Sequence, residues 1–259
     1  MDGWLQEFVG TASATALAMA AVSAFAAGFL RGFVGFGGAL VIIMVLGTVL
    51  GPQLAVAAAS VSGIVSMLQL MPEAVRQSEK PFVVPFGLAT FIAAPFGTLV
   101  LVAIAPEPMR MVISALVLLM VAMLYGNWRP ASLPGTAANF GAGIAAGLVQ
   151  GSTGIAGPLA VAVTLARPGT ARQQRANVLG ALVSLTLCSL APLWYHGLIT
   201  QQAIVIGLLL TPIYSFATWV GAKYFSRGGD RYFRNAALAA LAVIGVATLS
   251  LAVRDYMAG

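Results

Sequence analysis

Charged residues are scarce in this sequence, and their scarcity excludes a water-soluble fold. Of the 259 residues, 8% are charged and 60% are hydrophobic, whereas soluble proteins carry about 25% charged residues. So few polar side chains cannot cover a globule of this size, and lipid must therefore solvate much of the surface. The composition predicts an integral membrane protein.

Cysteine, histidine and acidic residues are also few, and each shortage removes a class of chemistry. Cys188 stands alone, which excludes an intrachain disulfide and a CxxC pair, and His196 is the single histidine. The seven acidic residues fall at the termini or in predicted loops. Because these residues cannot form a metal-binding cluster or a buried acid relay, we predict no enzyme activity, no cofactor and no metal.

Thirteen Lys and Arg give a net charge of +6, which we assign to membrane orientation and not to nucleic-acid binding. Basic residues gather in the cytoplasmic loops of membrane proteins, and the chain has no nucleic-acid-binding motif. If the apolar segments alternate in direction, one face receives only Arg110 and Arg254. The other face receives Arg31, Arg76, Lys80, Arg129, Arg167, Arg172, Arg175, Lys223, Arg227, Arg231 and Arg234. This bias makes the basic face cytoplasmic and places both termini outside the cytoplasm.

Long apolar runs, cut at Gly, Pro and charged clusters, predict an all-α membrane fold with about 8–10 hydrophobic helices. The segments are 9–30, 36–50, 52–71, 82–105, 109–125, 133–149, 154–166, 177–195, 201–224 and 232–253. Segments 36–50 and 154–166 reach only about 20 Å, less than the ~30 Å hydrocarbon core. Each follows a Gly-rich break, as broken or re-entrant helices do when they line a transport site.

The two Gly-rich breaks belong to a predicted internal repeat. AGFLRGFVGFGG (27–38) aligns with AGLVQGSTGIAG (146–157), and later Gly97 aligns with Gly221. We therefore divide the single membrane domain into an N-terminal repeat, 1–128, and a C-terminal repeat, 129–259. Five segments per repeat invert the second copy. The charges agree, because loop 72–80 is charged and its counterpart 196–200 has no Lys or Arg.

The glycines of the breaks have two interpretations. Gly28, Gly32, Gly147 and Gly151 have the four-residue spacing that lets helices pack closely. The others stand where a helix must end and a new one begin, and a helix start presents free N–H groups and the positive end of its dipole to an anion. We predict that these residues bind substrate: Gly35, Gly37, Gly38, Gly154 and Gly157.

Arg31 and its neighbours supply candidate polar ligands. Arg31 lies among apolar residues, and its guanidinium matches sulfonate, sulfite, phosphate or carboxylate oxygens. The alternative is a cytoplasmic anchor whose side chain reaches the lipid headgroups. Gln150 occupies the aligned position, and Ser152 and Thr153 add neutral donors. Asn177 is a further candidate ligand, with helix packing or capping as its alternative.

These motifs resemble the TauE/SafE sulfite exporter family, also called the four-toluene-sulfonate uptake permeases. The resemblance is carried by GFVGFGGALVIIMVL (32–46), AVAAASVSGIVS (55–66) and GLVQGSTGIAGPLAVAVTL (147–165). It implies a multi-pass transporter of the bacterial inner membrane that moves sulfite, sulfoacetate or other organosulfonates. Ala156 stands where a Gly is common in the family, and this departure leaves the substrate open.

We therefore predict a secondary transporter for small sulfur-containing anions that acts by alternating access, with export as the expected direction. An anion channel and a non-transporting accessory protein are the alternatives. The partners expected are the anionic substrate and the lipid bilayer, without nucleic acid. Coupling to a proton carried on the substrate and assembly as a homodimer are both left open by the sequence.

Overall fold

The described part of the chain consists of α-helices joined by short connections. The computed structural model describes residues 14–105 and 135–226, with isolated positions between 108 and 122 and at 239. Over these residues the structure has no strand, which confirms the all-α prediction. The helices are α1 Ala14–Val34, α2 Gly38–Leu50, α3 Pro52–Gln77, α4 Lys80–Ala103, α5 Thr136–Thr153, α6 Gly157–Leu165, α7 Ala171–Tyr195 and α8 Gln201–Ser226. The predicted segments 109–125 and 232–253 lie largely outside the described residues.

Four of these helices, α3, α4, α7 and α8, are long and apolar enough to cross a membrane. The outer faces of α4 and α8 expose large apolar side chains, among them Phe91, Phe96, Phe216 and Trp219, each at least half exposed. Continuous apolar surface of this kind suits lipid and is rare on soluble proteins. The chain is an integral, multi-pass membrane protein.

The two short helices also occur as predicted. Helix α2 has 13 residues and α6 has 9, so neither spans the ~30 Å hydrocarbon core at 1.5 Å per residue. Proline stands in the first turn of the short helix α6, at Pro158, and of α3, the helix after α2, at Pro52. At that position proline loses no hydrogen bond.

Helices α3 and α7 extend further toward the basic face than the apolar pattern predicts. We expected a loop at 72–80, but α3 continues through Pro72 to Gln77. Helix α7 begins at Ala171, after Thr170, whose hydroxyl accepts a hydrogen bond from the Gln173 N–H at 3.3 Å. Arg172 and Arg175, expected in a loop, are therefore helical. The start of α7 is therefore determined by the capping side chain of Thr170 and not by the edge of the apolar run.

Glycines bring two helix pairs into backbone contact. On α1, Gly28 and Gly32 face the carbonyls of Tyr214 and Thr218 on α8, where an added Cβ would collide with the backbone. Helix α5 meets α4 in the same way, through Gly143, Gly147 and Gly151. This is the close packing expected of small residues in membrane helices. Gly28, Gly32, Gly147 and Gly151 thus have the packing role that we weighed against ligand binding.

The contacts between the two halves of the chain are reciprocal. Helix α1 packs on α8 and α5 packs on α4, while α3 meets α8 and α7 meets α4. Helix α3 also packs on α7, and each short helix lies against its neighbours within its own half. Both halves therefore contribute to one continuous core, with α3 and α7 at its centre.

Candidate functional site

The two helix breaks meet inside the protein. The first, residues 35–37 between α1 and α2, has Gly35 at φ +97° and Gly37 at φ +95°. The second, residues 154–156 between α5 and α6, has Gly154 at φ +72°. Residues that carry a side chain rarely adopt a positive φ. Glycine at these positions therefore allows the chain to end one helix and begin the next. All of these residues are buried.

An apolar side chain from each break packs into the opposite half. Phe36, 1% exposed, belongs to a cluster with Ala160 and Val161 of α6 and lies against Gly157. Ile155, also 1% exposed, clusters with Ile42 and Ile43 of α2. The breaks are therefore interlocked and do not face lipid.

A small cavity lies beside the breaks. Its volume is about 30 Å³, and a cavity needs roughly 10–15 Å³ to hold a water molecule, so it suits a small ion better than an extended molecule. Ser60 and Gly63 on α3, Thr186 and Ser189 on α7 and Tyr214 on α8 all lie away from the ends of their helices, so this central cavity is inside the helix bundle. The wall is completed by Arg31, Ala39, Ile43, Ala59, Gln150 and Gly154.

Arg31 is the only charged side chain among the residues that form this wall. It stands in the last turn of α1 and is 6% exposed. Among the described residues its Nε has no hydrogen-bond partner. Burying a guanidinium donor without an acceptor costs free energy, so this atom is suited to an anion that enters the cavity.

Tyr214 faces Arg31 across the cavity. Both residues line the cavity, and the positive charge of Arg31 acts electrostatically on the Tyr214 hydroxyl. That hydroxyl also lies so close to Gly38 that a Cβ there would collide with it. The first residue of α2 must therefore be glycine for the helix start to fit beside Tyr214. Ala39, the next residue, lines the cavity, so the start of α2, whose first N–H groups lack partners within the helix, lies beside it.

The second break uses its N–H groups differently. Gln150 accepts a hydrogen bond from the Ala156 N–H at 3.3 Å through Oε1, and Thr153 accepts one from the Ile155 N–H at 3.4 Å. These bonds satisfy the N–H groups of the break itself, just before the start of α6, with side chains of the same half. They engage the Oε1 of Gln150, so its amide nitrogen, which only donates, takes no part in this contact.

Other predicted ligands lie away from the cavity wall. Ser152 and Thr153 donate to carbonyls of their own helix, at 2.9 Å to Leu148 and 2.8 Å to Val149. Gly157 faces Phe36. Asn177 accepts a hydrogen bond from the Glu79 N–H at 2.7 Å, which caps the start of α4. The structure thus brings Arg31, Gln150 and Gly154 to one cavity, with Gly35, Gly37 and Gly38 shaping the break beside it.

Arg175, which the sequence pattern assigned to a loop, holds the end of α1. Its side chain is 1% exposed, its Nε donates to the Phe33 carbonyl at 3.2 Å, and its Nη2 donates to the Gly32 carbonyl at 2.6 Å. It also pairs with Glu73 and lies 4.2 Å from the centre of the Phe225 ring. Arg175 therefore satisfies carbonyls that the end of α1 leaves without helical partners and fixes the turn that carries Arg31.

Tyr214 and the hydroxyl residues of α3 and α7 were missed as wall residues by the sequence analysis. Their signal was present, because Ser60, Thr186 and Ser189 are polar residues inside segments predicted to span the membrane. Such residues usually face a protein interior or a cavity. Only the packing of α3, α7 and α8 brings them together.

A buried cation beside two interrupted membrane helices is the arrangement used by transporters of small solutes. The family model of the sulfite exporter TauE/SafE matches residues 7–248. The chain therefore belongs to the TauE/SafE family of membrane transporters, which confirms the resemblance read from the Gly motifs. No curated protein and no solved structure gives a significant match.

Proposed function

We propose that this protein is a secondary carrier for small sulfur-containing anions, such as sulfite, sulfoacetate or another organosulfonate, in the bacterial inner membrane. The anion occupies the central cavity. Arg31 supplies the charge, the start of α2 supplies N–H groups, and the amide of Gln150 supplies a neutral donor. Export is the proposed direction.

One observation carries this proposal, the buried Nε of Arg31 without a partner among the described residues. A guanidinium forms its strongest hydrogen bonds with the oxygens of an anion. No acidic side chain lines the central cavity, so a cationic substrate has no countercharge on its wall. The small volume favours a compact oxyanion head group.

Alternating access is supported by the reciprocal contacts. Gly32 packs on Thr218, and Gly151, 119 residues later, packs on Ala94. Gly221 packs on the backbone of Phe29, and Gly97 packs on Leu148, which is again 119 residues later. We propose that repeats 1–128 and 129–259 are related by inversion and rock against each other about the interlocked breaks.

Reconstitution tests the proposal directly. Purified protein in liposomes is assayed with labelled sulfite, sulfoacetate and taurine, with and without unlabelled anion on the other side. A carrier gives saturable flux that is stimulated by exchange. Arg31→Gln is expected to abolish it, whereas Lys223→Gln, which removes an exposed positive charge that lies 4.5 Å from the Trp219 ring, retains it.

Each other outcome contradicts a defined part of the proposal. Unsaturable flux accompanied by single-channel currents identifies an anion channel. No flux of any of the three anions, with the protein correctly inserted, favours the accessory role. Equal loss in Arg31→Gln and Lys223→Gln shows that net charge, and not the cavity, determines transport.

A further inference from the structure

A second cavity lies below the central one, at the basic face of the protein. Its volume is about 410 Å³, much larger than the central cavity, and we call it the vestibule. Its wall includes Glu73 and Arg76 on α3, Arg172 and Arg175 on α7, and Ser226 on α8. Three basic side chains against one acidic side chain give this wall a positive charge, which attracts anions.

Helices α3, α7 and α8 contribute to the walls of both the vestibule and the central cavity. Gly63 lines the central cavity and Glu73 lines the vestibule, and these residues are about 15 Å apart along α3 at 1.5 Å per residue. On α7 the corresponding residues are Thr186 and Arg175. The two cavities therefore lie one above the other in the groove between α3, α7 and α8.

An apolar cluster separates them. Leu70 and Ala74 of α3 meet Leu179 of α7, all at most 5% exposed, with Val183 and Ala222 packed against them. Leu70 lies between the two levels on α3, as Leu179 and Val183 do on α7. A dry apolar constriction blocks ions, because an ion must lose its hydration to pass it.

The first helix break contacts this cluster. A Cβ at Gly35 would lie 3.2 Å from Leu179 and 3.3 Å from Val178. Gly35 itself belongs to the break that carries α2 to the central cavity. A movement of that break therefore changes the space available to Leu179.

We propose that the vestibule is the entrance for the anion on the basic face, and that Leu70, Ala74 and Leu179 form a gate that is closed in this structure. The identity of the anion rests on the proposed function. The entrance and the gate do not, because the access of a reagent to the cavity can be measured without any transport.

Cysteine labelling tests the gate. In a Cys188→Ser background, Gly63→Cys places a thiol on the wall of the central cavity, where an added Cβ meets no atom within 4 Å. Ser226→Cys places one in the vestibule and identifies the side from which reagent must come. A membrane-impermeant methanethiosulfonate added from that side is expected to label Cys at 226 rapidly and Cys at 63 at least tenfold more slowly.

Opening the gate should remove this difference. Leu70→Ala and Leu179→Ala are each expected to speed labelling at position 63 by at least tenfold. Leu68→Ala makes the same change at a side chain that is 56% exposed, and is expected to have no effect. Unchanged labelling at 226 shows that each variant has folded. Rapid labelling at 63 with the gate intact, or no acceleration in either gate variant, overturns the proposal.

The charge of the vestibule is tested with the same thiol at position 226. An anionic methanethiosulfonate should react faster than a cationic one, after each rate is divided by its rate with free cysteine. Arg76→Gln should lower this preference by about two- to threefold at low salt, and high salt should remove it. A preference for the cationic reagent would show that the vestibule does not attract anions.

Discussion

The first and second helix breaks share one glycine pattern but differ in their use of polar groups. At the first break, Arg31 and Ala39, in the first turn of α2, line the cavity, and Arg31 brings a positive charge to it. At the second, Gln150 and Thr153 accept hydrogen bonds from the N–H groups of Ala156 and Ile155. The comparison indicates that duplication of a broken helix need not give two equal ligand sites. Arg31 and Gln150 both line the cavity, but only Gln150 also accepts a hydrogen bond from a backbone N–H of its own break.

The largest expected effect on substrate binding comes from replacing Arg31 at the first break, and it is compared with the effect of replacing Gln150 at the second break. Arg31→Gln should weaken substrate binding about 100-fold, since charged hydrogen bonds of this kind contribute roughly 3 kcal/mol. Gln150→Leu should weaken it by less than tenfold, because its main hydrogen bond is to Ala156. The concentration dependence of flux in liposomes measures both. Equal losses of substrate affinity in the two variants would show that the two breaks contribute equally to binding.

A substitution at Arg175 tests whether its hydrogen bonds to the carbonyls of Gly32 and Phe33 stabilise the end of α1. Arg175→Met keeps the bulk of the side chain but leaves the carbonyls of Gly32 and Phe33 without these donors. We expect it to lower the free energy of unfolding by roughly 2–3 kcal/mol, because Glu73 is half-buried and retains access to water. Denaturation in detergent, compared with Lys223→Met, measures the difference. Wild-type stability would show that the end of α1 does not need this support.

Gly38 and Gly157, the first residues of α2 and α6, form a matched pair. A Cβ at Gly38 collides with the hydroxyl of Tyr214, whereas a Cβ at Gly157 would lie 3.4 Å from Phe36 in ordinary contact. Gly38→Ala should cost roughly 1–2 kcal/mol and weaken substrate affinity about tenfold, and Gly157→Ala should change affinity by less than about twofold. Substrate-dependent thermal stabilisation measures both, and a larger effect at Gly157 would reverse the assignment.

The smallest effect is expected at Asn177. Its Oδ1 caps the start of α4, so Asn177→Ala should lower stability by about 1 kcal/mol and leave the half-saturation concentration of transport unchanged. Asn177→Asp retains an acceptor for the Glu79 N–H and should recover most of the stability. A loss of substrate affinity in Asn177→Ala with normal stability would show that Asn177 contributes to substrate binding.

The sequence predicted the membrane class, the short helices and the break positions, because composition and glycine spacing are local signals. It also selected Arg31, since a charge in an apolar run is conspicuous. The functions of Asn177 and Arg175 could not be predicted in this way. Their partners, Glu79 and Gly32, lie 98 and 143 residues away, and only the packed helices bring them together. Tyr214 reaches the cavity wall for the same reason.

The interlocked breaks also determine when the protein can be assembled during synthesis. Phe36 packs against α6, and α1 packs against α8, so the first half cannot complete its own interior. At roughly 5–20 residues per second, on the order of ten seconds or more separate the emergence of α1 from that of its partner. Until then Phe36 lacks the α6 residues against which it packs, and α1, which carries Arg31, lacks α8. The first half therefore reaches its native packing only after the second half has been synthesised.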